Sequence, residues 1–145
     1  MQNFPNSNED LMKTLITATA TILALSAPAF AEGDAEAGEK AFKKCKSCHM
    51  IASADETIVK GGKTGPNLHG VIGRVAGSVE DYKYGKGLQG AAEAGFEWTE
   101  EAVAEYVADP KAWLDAQGFD KKSKMSFKLK KGGADVAAYL ATFSE

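Results

Sequence analysis

Cys45-Lys46-Ser47-Cys48-His49 sets two thiols three positions apart and an imidazole directly after the second. That pattern reads as an attachment site for haem of the c type. The thiols can add across the two vinyl groups of the macrocycle and form two thioether bonds. The same turn of backbone brings His49 under the ring, where a nitrogen can ligate the iron. Other chemistries use parts of this motif: a redox dithiol, an exported disulfide, or half of a zinc site. Structural zinc takes about four protein ligands. The chain has two cysteines and two histidines, so Cys45, Cys48, His49 and His69 would meet the count. However, a histidine adjoining the second cysteine departs from finger spacing, in which the histidines form their own pair. A redox dithiol would follow a strand, and the residues before Cys45 have a helical pattern. The full pentapeptide therefore favours haem.

The second axial position of the iron decides what such a site does. An open position permits gas binding or peroxide chemistry; a filled one leaves electron transfer. Met50 adjoins His49 and cannot reach the other side of the ring, while Met1 and Met12 lie in a leader expected to be removed. Met125, His69 or a lysine remain. Met125 sits in the lysine-rich, non-periodic run Lys121-Lys122-Ser123-Lys124-Met125-Ser126-Phe127-Lys128, a poor setting for a core methionine. It is the favoured ligand. His69, in the tight segment Gly65-Pro66-Asn67-Leu68-His69-Gly70, reads as a surface histidine.

These residues need elements to position them. A chain of 145 residues, 44% hydrophobic and with net charge −3, suits one small soluble domain after a leader. Met12-Lys13, the apolar run 15–25 and the small-residue end Ala29-Phe30-Ala31 read as a secretory signal peptide. The run is too short to span a bilayer, and the cleavage site that follows argues against an anchor. Glu9 and Asp10 stand where a signal should be positive, so translation is expected to start at Met12. The expected division is a signal over 1–31 and a domain over 32–145. Export to the periplasm also suits haem attachment, which takes place on reduced thiols outside the cytoplasm.

In the domain, Asp34 is an N-cap and Glu36 suits the first turn of a helix. Gly38, Ala41, Phe42 and Cys45 then recur at helical spacing up to the haem motif, with Gly38 allowing another helix close. Over 50–97 the periodicity fades among many glycines, and long loops are expected. Loops of that length count against a small domain unless they pack on a large flat cofactor. Thr99 caps a helix with the stripe Val103, Tyr106 and Val107. Asp109-Pro110 ends it and starts a short helix with Trp113 and Leu114, stopped near Gly118. A last helix over about 134–143 carries Val136, Tyr139, Leu140 and Phe143 on one face. Gly38 and Phe42 are expected to cross it at Tyr139 and Leu140.

With these motifs in place the chain resembles a class I cytochrome c, in particular the larger bacterial cytochrome c2 and c550 type. The matching residues span the domain. They include Gly38, Phe42, Thr64-Gly65-Pro66-Asn67-Leu68-His69-Gly70, Gly73-Arg74, Tyr82-Lys83-Tyr84, Trp98, Tyr106, Asp109-Pro110, Lys124-Met125-Ser126-Phe127 and Tyr139-Leu140. The resemblance implies an all-α fold, a small class I cytochrome c of helices and long loops wrapped around one covalently bound haem. It implies one haem c joined through Cys45 and Cys48, with His49 and Met125 as axial ligands of its iron. It further implies that the Pro66 carbonyl accepts a hydrogen bond from His49. Arg74, Tyr84 and Trp98 would line the haem propionates, and Tyr106 would donate towards the methionine sulfur. Ser123 departs from the threonine common in the family but keeps the hydroxyl. Extra residues over 53–62 and 115–122 mark the larger subtype.

The implied function is one-electron transfer in the periplasm between membrane redox complexes, from a cytochrome bc complex to a photosynthetic reaction centre or cytochrome c oxidase. The competing class is a peroxidase or nitrite-type haem enzyme or a ligand sensor, which needs an open iron. Lys43, Lys44 and Lys46 beside the motif, and Lys121, Lys122, Lys124, Lys128, Lys130 and Lys131 about Met125, form a candidate docking edge for acidic partners. The acidic balance of the whole chain speaks against nucleic acid, and a monomer is expected.

Overall fold

Asp34 starts the first helix as its residue type implies. Its carboxylate accepts from Glu36 N and Ala37 N, capping α1 (Ala35–Phe42). These contacts belong to a computed structural model that describes residues 32–144; the expected signal peptide, residues 1–31, lies outside them. The remaining elements in chain order are β1 (Ile51–Ala52), β2 (Thr57–Val59), α2 (Lys86–Glu93), α3 (Glu100–Ala108), α4 (Pro110–Ala116) and α5 (Gly133–Ala141).

Two helix crossings organise the domain. Gly38 is buried where α1 meets α5, and a Cβ there would overlap the Asp135 carbonyl oxygen. The missing side chain lets the two backbones touch, and Phe42 then packs on Tyr139 with ring centroids 5.6 Å apart. On its other side α5 packs against α3, where Gly133 approaches the Ala104 carbonyl oxygen. Thr99 caps α3 through its hydroxyl, and the Asp109 carboxylate caps α4 with Pro110 in the first turn. Gly132, with φ of 86°, turns the chain into α5. The core between these helices contains Phe42, Val103, Leu114, Val136 and Leu140, all nearly inaccessible to solvent.

The stretch 50–97 differs from the expectation of loops alone. Residues 53–56 turn a two-strand antiparallel hairpin, with Ile51 opposite Val59 and Ala52 opposite Thr57, so the helical domain carries a small sheet. Further on, 86–93 is helical despite Gly87 and Gly90, which cost helix stability. Packing demands one of them: a Cβ at Gly87 would overlap the Asp120 carbonyl oxygen. Gly87 N donates to Lys122 O at 3.0 Å. The extra residues 115–122 thus lie against the start of α2.

Candidate functional site

The haem-motif residues lie on a tight turn that continues from α1. Cys45 O accepts from both Cys48 N (3.1 Å) and His49 N (2.9 Å), which gathers the two thiols and the imidazole on one loop. Cys45 is half-buried and Cys48 exposed. Burial first, and then the Cys48 thiol, push the Cys45 thiol up to about 11, against the lowering effect of Lys44. Among the described residues, no group of three or more His, Cys, Asp or Glu side chains converges on a point that could hold a metal.

His49 is held in one tautomer. Its Nδ1 lies 2.8 Å from Pro66 O. A carbonyl only accepts, so Nδ1 carries the proton and Nε2 keeps the free lone pair that a metal requires. Burial holds the imidazole below its ordinary value, and the Pro66 bond opposes this. The neutral, ligating form therefore prevails at neutral pH. Gly65 leaves room for the ring, since a Cβ there would overlap His49 Cε1.

Cys45, Cys48, His49 and Met125 all line one cavity of about 420 Å³. Its apolar walls include Phe42, Leu68, Val71, Val103, Val136 and Leu140, and an aromatic side is built from Tyr82, Tyr84, Trp98 and Tyr106. Arg74 lines it too, with burial as the main influence lowering its pKa and Tyr84 opposing. The residues therefore fit a large, flat, mostly apolar macrocycle. An imidazole and a thioether are available for its metal, two thiols for attachment, and a guanidinium and phenols for its acidic groups.

Several site residues make specific bonds to one another. The Tyr106 hydroxyl lies 3.2 Å from Ser123 Oγ. Ser123 Oγ in turn donates to Met125 O (3.0 Å) and accepts from Met125 N (3.1 Å). The hydroxyl pair thus fixes the backbone of the methionine. Arg74 donates from Nη1 to His69 O and from Nη2 to Asn67 O, each at 3.1 Å, so two of its five N–H groups brace the 67–69 loop. His69 does not line the large cavity; it sits half-buried beside Phe143, ring centroids 6.5 Å apart, at a separate shallow depression.

Sequence reasoning missed Asn67 and Trp113. Asn67 was part of a matched string without a role, yet its side chain makes two bonds to Ala52 and accepts from His69 N. Trp113 was read only as a helix residue. It is buried behind the aromatic wall, 5.2 Å from Trp98 and 5.5 Å from Tyr106 between ring centroids. An asparagine in a Gly-Pro-rich run was the only signal for the first; nothing local marked the second.

Lys44, Lys122 and Lys124 reach the cavity rim, and all nine lysines named above are exposed. Some are engaged: Lys128 pairs with Asp109 at 2.6 Å, Lys121 with Asp115 at 3.2 Å, and Lys124 donates to the Lys83 carbonyl. Phe127 projects among them, 44% exposed.

No family model matches the chain. Individual proteins do. It is 58% identical to cytochrome c-551 of Roseobacter denitrificans over 131 residues, covering 86% of this chain and 94% of that one. It is 56% identical to cytochrome c2 of Rhodobacter capsulatus over 132 residues, covering 89% and 96%. Among solved structures, ferric cytochrome c-550 of Paracoccus versutus superimposes with a TM-score of 0.74 at 54% identity, covering 79% of this chain and 100% of that one.

Proposed function

The chain belongs to the class I cytochrome c family, as an electron carrier with one covalent haem c and not an enzyme, and from that premise we propose how its residues act. Cys45 and Cys48 would hold the haem through thioether links, and His49 Nε2 and the Met125 thioether would ligate its iron. Pro66 orients His49; Arg74, Tyr84 and Trp98 line the propionate side; Tyr106 acts through Ser123. The observation that carries this reading is the shared cavity, with both thiols, the Nδ1-tethered imidazole and the thioether on its walls.

The haem supplies an iron that cycles between Fe(II) and Fe(III). What the protein does is hold that couple still and tune it. With His49 and Met125 both bound to the iron, little would have to move during transfer. The soft thioether of Met125 and the apolar walls both disfavour the extra positive charge of Fe(III), which makes a fairly high-potential carrier. Residues 32–145 form the mature periplasmic domain once 1–31 is removed. The monomer shuttles electrons from a cytochrome bc complex to a photosynthetic reaction centre or cytochrome c oxidase, docking by its lysine-rich edge in a small, short-lived contact.

The test is the absorption spectrum of the exported protein, oxidised and reduced. The expected result is a covalent c-type spectrum with the weak far-red band of a methionine–Fe(III) bond, lost in Met125→Ala. A high-spin spectrum in the unsubstituted protein would instead favour an open site and ligand chemistry.

A further inference from the structure

The segment that carries His49 runs beside 65–68, and hydrogen bonds tie the two along their length. Gly65 N donates to Cys48 O at 2.8 Å, His49 Nδ1 to Pro66 O at 2.8 Å, and Leu68 N to Met50 O at 3.0 Å. The last tie is made by a side chain. Asn67 Oδ1 accepts from Ala52 N at 3.0 Å, and Asn67 Nδ2 donates to Ala52 O at 2.7 Å. The carboxamide thus offers Ala52 the donor and acceptor that a neighbouring strand would. An aspartate could not do this, since an ionised carboxylate has no donor for Ala52 O.

The position of this tie gives it consequence. The Pro66 carbonyl belongs to the planar peptide unit that continues into Asn67 N. That peptide plane is shared with Asn67, whose side chain is anchored on β1, three residues after His49. Arg74 Nη2 holds the next peptide, at Asn67 O. The ring from His49 through Ala52 and Asn67 to Pro66 is therefore closed by hydrogen bonds at both ends.

We propose that Asn67 is a positioning residue for the His49 imidazole: its paired bonds to Ala52 keep the Pro66 carbonyl aimed at Nδ1 and so set how strongly Nε2 donates to the iron. This rests on the reading of His49 as an axial ligand. Without the amide, the 66–67 peptide is free to tilt and the Nδ1–H···O bond lengthens. The imidazole then becomes a weaker donor, Fe(III) loses support relative to Fe(II), and the reduction potential rises.

The experiment compares the haem-loaded protein with Asn67→Ala, Asn67→Ser and the control Asp34→Ala, which removes the α1 cap. In Asn67→Ser the hydroxyl can still accept locally from His69 N but is too short for Ala52, so it isolates the long-range tie if the alanine variant fails to fold. Reduction potential, exchange of the His49 Nδ1 proton in the Fe(II) protein by NMR, and melting temperature are read for each. The expected result is a raised potential and several-fold faster Nδ1 exchange in both Asn67 variants, with neither in Asp34→Ala. A fall in melting temperature alone, or equal shifts in the control, would overturn the proposal. Failure of the underlying ligand assignment would be seen separately, as a His49 nitrogen spectrum in the unsubstituted protein without iron coordination.

Discussion

His49, the proposed iron ligand, depends on neighbours that give it space and direction. Gly65→Ala places a methyl group where the imidazole lies. Overpacking of this kind costs about 1–3 kcal/mol, so urea unfolding of Gly65→Ala is expected to show that loss together with a weakened methionine–haem spectrum. Tyr106→Phe tests the hydroxyl that meets Ser123. Losing one such bond costs about 1 kcal/mol; the far-red band is expected to keep its position, because the Tyr106 hydroxyl meets Ser123 Oγ. Tyr106 also carries a pH signature. Burial raises its pKa above the ordinary value of 10, partly offset by Ser123. The unfolded phenol then loses its proton first, so this contribution to stability is full below pH 10 and lost as pH rises through the folded value. A melting curve of Tyr106→Phe is expected to fall less steeply with pH in that alkaline window than that of the parent.

At the scale of elements, stability rests on backbones that touch. Gly38→Ala would drive a methyl into the carbonyl of Asp135 and separate α1 from α5, the pair that brings the haem motif and the core together. An expected loss of about 3 kcal/mol, measured by urea unfolding, would be much larger than for Ala37→Gly one position earlier, which removes helix propensity worth about 1 kcal/mol. The methionine segment is pinned at its far end by Lys128, which pairs with the Asp109 cap of α4. The Lys128 bond is the first cause holding the Asp109 carboxyl below its ordinary value. A lowered carboxyl contributes stability above its unfolded pKa and loses it as pH falls through the folded one. Lys128→Met is therefore expected to flatten the acid limb of the stability profile while leaving the neutral spectrum unchanged.

For the molecule as a whole, charge is divided unevenly. The chain carries net charge −3, yet the cavity rim displays Lys44, Lys122 and Lys124, with Lys46 exposed nearby. Acids are exposed on α3 at Glu100, Glu101 and Glu105. On the docking edge proposed above, the rim lysines steer the carrier towards an acidic partner. Oxidation by a membrane partner complex is expected to slow as salt rises from about 10 mM to 0.15 M, where the screening length shrinks from about 30 to 8 Å. Lys46→Glu is expected to slow it several-fold at low salt with little change in potential; a rate indifferent to both would rule out this docking edge.

Much was legible because it is local. The Asp34 and Thr99 caps, the helix boundary at Asp109-Pro110 and the helical stripes depend on spacing within a few residues, and the structure keeps them except at Phe143, which falls past the end of α5 at Ala141. The crossing of α1 and α5 was legible too, because a glycine on an apolar helix face has few other uses. What lay beyond reach was set by contacts distant in the chain. α2 forms across glycines because Gly87 must clear the carbonyl of Asp120, a neighbour 33 positions away that no local window includes. Tyr106 turns to Ser123, and Asn67 to Ala52, because folding left those partners within reach. Residue types and spacing determined which chemistry this protein can do; the tertiary structure alone decided which donors meet which acceptors, because hydrogen-bond geometry is satisfied in space and not along the chain.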